Sequence, residues 1–175
     1  NELVWHESGI EGAVRFLQRV WRFVHKWRTS GQWPMAGGQP DKQSAAAKKL
    51  HQKTHQTIKR VQDSLETLQF NTPVAGLMEL INALYDAKIE PEPASDDEKF
   101  AVHEGAKALV LMLAPFAPHI AEELYEQITG EMGGILASGA MSPESRPELA
   151  AADEIEIAVQ VNGKLRSRIM ATPEA

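Results

Sequence analysis

The sequence predicts a mainly α fold: an antiparallel bundle of about five helices followed by a β-hairpin. Three observations predict it. Apolar residues recur at spacings of three and four in successive stretches between residues 9 and 130. Pro-, Gly- and Ser-rich breaks separate those stretches. Near residue 154 the period drops to two, and an Asn-Gly pair follows. We divide the chain into a helical bundle at 1–130, a loop or linker at 131–153 and a β-hairpin at 154–175, which opens a truncated C-terminal region.

The first helix spans about 9–28. Ser8 and Glu11 have capping-box spacing. Ile10, Ala13, Val14, Leu17, Val20, Trp21, Val24 and Trp27 give an apolar face. Arg15, Arg19, Arg22 and Lys26 fall in a narrow stripe on the other side. Residues 29–43 hold three Gly and two Pro without periodicity and read as a loop, with Trp33 as its anchor on the bundle. The second helix, about 44–70, shows a narrow seam of Ala47, Leu50, Thr54, Ile58, Val61, Leu65 and Leu68. Its first half is basic and its second half acidic.

Thr72 as N-cap and Pro73 at the first position open the third helix, whose expected buried face is Val74, Leu77, Met78, Ile81, Leu84 and Tyr85. Ser95 and Glu98 repeat the capping-box spacing before a fourth helix that is apolar nearly all round at 109–113, as a central helix should be. Pro115 and Pro118 make a corner, a fifth helix follows, and Gly130 ends it. Residues 131–153 lack periodicity and read as loop. Ile155, Ile157, Val159 and Val161 alternate along a strand, Asn162-Gly163 is a two-residue hairpin turn, and the return strand puts Lys164, Arg166 and Arg168 on one side. A lone hairpin is marginal in water, so it either packs on the bundle or belongs to a domain that continues beyond this chain.

The net charge of −6 hides an asymmetry. Residues 12–60 carry eleven Lys or Arg against the single acid Asp41, whereas 61–163 carry four bases against nineteen acids. A basic block of this kind is the footprint of a polyanion binder, or a solvated face folded against the acidic half. The absence of cysteine excludes a disulfide scaffold and Cys-ligated metal, and fits a reducing, cytoplasmic setting. The longest apolar run, 108–117, is too short for a bilayer and contains Pro115. The first residues lack the basic start and apolar stretch of a signal peptide.

Catalytic signals are weak. His51 and His55 share a helix face, but zinc needs at least three protein ligands, and Gln52 stands where a metalloprotease helix has Glu; a polar helix flank fits better. His103 and His119 read as packing residues, and Asp96, Asp97, Glu98, Glu122 and Glu123 as helix-terminal or solvated acids. No phosphate loop or nucleophile elbow occurs, so we expect neither a catalytic residue nor a metal site in this chain. The cation stripes are the candidate site. Phosphate recognition needs exposed cations on a rigid support, and the pattern favours backbone and shape over base identity.

Four motifs carry a family resemblance. Phe16-Leu-Gln-Arg-Val-Trp-Arg22 resembles the opening helix of the anticodon-binding domain of class I aminoacyl-tRNA synthetases. Lys53-Thr-His-Gln-Thr-Ile-Lys59 with Leu68-Gln-Phe-Asn-Thr-Pro73 is similar to that domain's second helix and corner. Leu113-Ala-Pro-Phe-Ala-Pro-His-Ile-Ala-Glu-Glu-Leu-Tyr125 resembles a signature of the same bundle. Val159-Gln-Val-Asn-Gly-Lys-Leu-Arg166 resembles the strand–turn–strand after the bundle in bacterial-type leucyl-tRNA synthetases.

The resemblance implies a segment of a large ligase that joins leucine to tRNA(Leu) through leucyl-adenylate, with ATP and Mg. The adenylating HIGH and KMSKS motifs and the editing domain are not in this sequence, so the resemblance implies no catalytic residue, no cofactor and no activity for this chain alone. It implies tRNA docking. On that reading the cation stripes supply the phosphate contacts: Arg15, Arg19, Arg22 and Lys26 first, then Lys48, Lys49 and Lys53, then Lys164, Arg166 and Arg168. The implied partners are tRNA(Leu) and the other domains of the parent synthetase, with no membrane. The rival readings are a structural or protein-interaction bundle, and the equivalent domain of a valyl, isoleucyl or methionyl enzyme.

Overall fold

The computed structural model describes residues 7–33, 43–140 and 142–150, with the backbone of 155–161 and 164–171. The Asn162-Gly163 turn lies outside the described residues, as do the side chains of both strands. Among the described residues the chain is mainly helical: α1 (Glu7–Ser30), α2 (Ala45–Glu66), α3 (Asn71–Asp86), α4 (Asp96–Leu113), α5 (Pro118–Thr129) and the short α6 (Gly134–Ser138) and α7 (Pro147–Ala150).

The long helices bury their apolar faces against one another, and α4 takes the centre, packing on α2, α3 and α5. Ala108, Leu109, Val110, Met112 and Leu113 are all buried, which accounts for the nearly continuous apolar run in that stretch. The capping box at Ser95 and Glu98 forms, with Glu98 accepting the Ser95 backbone N–H at 3.1 Å. Gly130 ends α5 at φ 74°, a left-handed turn that glycine adopts without Cβ strain.

Several elements differ from the sequence expectation. α1 begins at Glu7, so Ser8 lies inside the helix rather than capping it. Its buried face is Phe16, Val20, Phe23, Val24 and Trp27, while Ile10, Ala13, Val14 and Trp21 are exposed. The helix has apolar residues over more than half its circumference, and packing selected one edge of that arc. α2 stops at Glu66 rather than near 70, because Leu68 turns left-handed at φ 56° and the Gln69 N–H returns to the Ser64 carbonyl. α3 then starts at Asn71 with Phe70 at the cap position, so Thr72 is already helical.

The aperiodic stretch 131–153 contains α6 and α7, each held by contacts from distant helices. Glu122 accepts the backbone N–H groups of Ile135 (2.5 Å) and Leu136 (3.3 Å). The amides of Gln62 and Gln56 donate to the carbonyls of Pro143 and Ala150. Trp33 stacks on Trp27 at 5.4 Å, and His103 meets the Trp33 ring edge-on. Burial, and then Lys107, lower the pKa of His103.

Beyond α7, β1 (Ile155–Val161) and β2 (Lys164–Ala171) pair antiparallel. Val159 pairs with Ser167 and Gln160 with Leu165, so Arg166 is the extra residue of a bulge in β2.

Candidate nucleic-acid interface

The α1 cations lie about a third of a turn from the buried face of their helix, not opposite its centre. That phase sets them at the border with α3. The Arg19 guanidinium donates to Asn82 Oδ1 at 2.7 Å and lies 5.1 Å from the centroid of the Tyr85 ring. The Tyr85 hydroxyl in turn donates to the Arg19 carbonyl at 3.1 Å. Lys26 pairs with Glu90, just past the end of α3, and both side chains are at least half exposed. Arg15 and Arg22 are exposed, and Arg22 Nε bonds only its own helix at the Gln18 carbonyl, 3.2 Å away, among the described residues.

The α2 cations border the other flank of α3. Glu79 of α3 accepts Lys53 at 2.8 Å on one carboxylate oxygen and Arg60 at 2.8 Å on the other. The hydrogen bond from Lys53, and then that from Arg60, hold the Glu79 carboxyl below its ordinary pKa. Lys48 and Lys49 are exposed one turn nearer the start of the helix. That start is rigid. Ser44 caps Ala47 with its hydroxyl, and its own N–H donates to Asp97 Oδ2 at 2.7 Å across to α4. Cations of α1 and α2 therefore bracket α3 as the middle rib of one basic face.

Arg60 was not among the sequence candidates. Its i, i+7 spacing from Lys53 was visible, but its link through Glu79 needed the α2–α3 packing. Lys164, Arg166 and Arg168 lie on β2, and their side chains are outside the described residues.

His51 and His55 are almost fully buried, which corrects their reading as a polar flank. Both face Glu104 of α4. His51 Nδ1 lies 2.5 Å from Glu104 Oε2, and His55 Nε2 lies 3.5 Å from Oε1. His55 Nδ1 accepts the Arg146 backbone N–H at 3.2 Å, which in a neutral ring leaves the proton on Nε2, toward Glu104. Arg146 completes the cluster with 3.0 Å to Oε1. Burial alone would raise the Glu104 pKa, but the two histidines outweigh it and hold the carboxyl at about 2. The cluster is a clamp joining α2, α4 and the segment before α7. Among the described residues no group of three or more His, Asp or Glu has metal-holding geometry.

The family model for the anticodon-binding domain of tRNA ligase matches residues 47–175, well over half of the sequence. The chain belongs to that family. Among related anticodon-binding domains, it is 39% identical over 175 residues to the leucine–tRNA ligase of Syntrophus aciditrophicus (strain SB), covering 97% of this chain and 20% of the relative. It is 40% identical over 177 residues to the leucine–tRNA ligase of Synechococcus sp. (strain JA-3-3Ab), covering 95% and 19%. A solved structure, the ternary complex of Agrobacterium radiobacter K84 agnB2 LeuRS, tRNA and LeuAMS, matches with a TM-score of 0.71 and 26% identity over 97% of this chain and 21% of that one. This anticodon-binding domain thus spans about a fifth of the length of the curated relatives it matches. The matches extend over α1, ahead of the family model's first residue.

Proposed function

We propose that this anticodon-binding domain docks tRNA(Leu) through phosphate and shape contacts, so that a parent leucine–tRNA ligase can charge the distant acceptor end. The observation that carries this reading is the basic face. Arg15, Arg22 and Lys49 are exposed on helices that share a core, and Arg19, Lys53 and Arg60 flank α3. The pairs Lys26–Glu90 and Lys53–Glu79 do not disqualify their cations. Exposed ion pairs contribute roughly 0–1 kcal/mol, so a phosphate can exchange for the carboxylate. The aromatic residues of α1 support shape reading too. Phe16, Phe23 and Trp27 are spent on the core, which leaves Trp21 as the one exposed Phe or Trp ring among the described residues of α1 rather than a row of rings for stacking.

ATP and Mg belong, on this reading, to the four-fifths of the relatives that this chain does not span. The described residues present no carboxylate or imidazole cluster fit to hold Mg, so we derive no chemical step here. We place the hairpin as the first strands of the region that follows the bundle, with Lys164, Arg166 and Arg168 as further phosphate contacts, in a cytoplasmic ligase.

Binding of a tRNA(Leu) transcript to the chain across a salt series tests the proposal. The logarithm of affinity should fall steeply and linearly with the logarithm of salt. In the Arg15→Ala/Arg22→Ala variant the slope should be gentler by about 1 to 2. A flat response, or an unchanged slope in the variant, contradicts it.

A further inference from the structure

Between the first half of α2 and the end of α3 runs a groove of about 420 Å³, within the basic face. Ala46, Leu50, Ala83 and Ala87 give it an apolar shelf, and the polar side chains of Gln52 and Gln56 line it as well on the α2 side. Lys49 and Lys53 stand on the α2 rim, and Asp86 stands on the α3 rim. The two rims are thus opposite in charge. The helix ends reinforce this, since the start of α2 is the positive end of its dipole and the last turn of α3 is the negative end. Lys53 meets Glu79 at 2.8 Å in a half-exposed pair that a phosphate can displace.

A ligand suited to this groove has an anion at one end, a flat apolar body, and N–H donors at the other end. A nucleotide has that order of parts. Ionised Asp86 accepts only, so it matches a base edge that presents donors. Guanine places two adjacent N–H donors on its Watson–Crick edge, and a carboxylate can take both. That edge is open only in an unpaired, unstacked nucleotide. Resting on the RNA-docking reading, we propose that the α2–α3 groove holds one unpaired guanine nucleotide of the docked RNA. Its ring lies on the alanine shelf, its phosphate meets Lys49 and Lys53, and its N1–H and N2–H donate to Asp86.

Titration of the isotope-labelled chain with guanosine 5′-monophosphate, adenosine 5′-monophosphate and inorganic phosphate, followed by amide NMR shifts, tests this. The guanine nucleotide should move the signals of 46–56 and 83–87 at millimolar concentration, about tenfold more tightly than the adenine nucleotide. Asp86→Asn should erase that preference, and Lys49→Ala should weaken both nucleotides alike. Asp86 and Lys49 are exposed, so both variants should retain the wild-type melting temperature. Equal affinity for the two nucleotides, shifts reproduced by inorganic phosphate alone, or no shift in the groove overturns the assignment. Steep salt dependence of tRNA(Leu) binding alongside any of those results removes the groove only. Loss of tRNA(Leu) binding altogether removes the docking reading with it.

Discussion

Glu104 joins three segments of the fold through one carboxylate. It is mostly buried, and three positively polarised groups from two other segments converge on it. Removing one partner of such a cluster leaves the rest buried and uncompensated, so Glu104→Gln should cost about 3 kcal/mol. Its pKa also dictates a pH signature. A carboxyl lowered from 4.5 to about 2 stabilises the fold fully above pH 4.5 and loses that contribution as pH falls toward 2. Urea midpoints measured down through that window should drop less steeply for Glu104→Gln than for the parent chain; parallel curves would remove Glu104 from this role. Leu68 poses the opposite case. It is 72% exposed and left-handed at φ 56°, so its side chain adds little packing to offset the backbone strain. Leu68→Gly should stabilise the fold by about 1 kcal/mol, read as a raised melting temperature.

At the scale of elements, the crossing of α2, α3 and α4 depends on Gly105. A Cβ there would stand 3.1 Å from Thr54 Oγ1 and 3.2 Å from Leu84 Cδ2, both side chains fixed in the core. Overpacking should outweigh the gain in helix propensity, so Gly105→Ala should destabilise by about 1 kcal/mol in thermal melts. This crossing also shows what the sequence made legible. The long helices could be read because their apolar spacing, the Ser95–Glu98 box and Gly130 are local signals. The rotation of α1 could not, because both flanks of its buried face are apolar and only its partners decide between them. Neither could α6 and α7, whose order comes from Glu122, Gln56 and Gln62 reaching across from other helices. His51 and His55 were visible as a pair, but Glu104 lies 53 residues from His51, and no periodicity links them. The cation stripe of α1 was legible as a stripe; its placement beside α3 was not.

Over the whole molecule, charge is sorted in space as well as along the chain. Cations of α1 and α2 gather around α3, while the outer turns of α5 carry Glu123 and Glu126. A net charge of −6 would repel RNA if it were spread evenly, so the proposed docking depends on this separation. The lack of cysteine allows a direct map of the docking face. Single-cysteine variants Gln18→Cys on α1, Ala45→Cys at the start of α2 and Glu123→Cys on α5, each at an exposed position, can carry a short photo-crosslinker. With tRNA(Leu) bound, crosslinks should form from positions 18 and 45 and not from 123. Equal crosslinking from all three, or crosslinking from 123 alone, would contradict it.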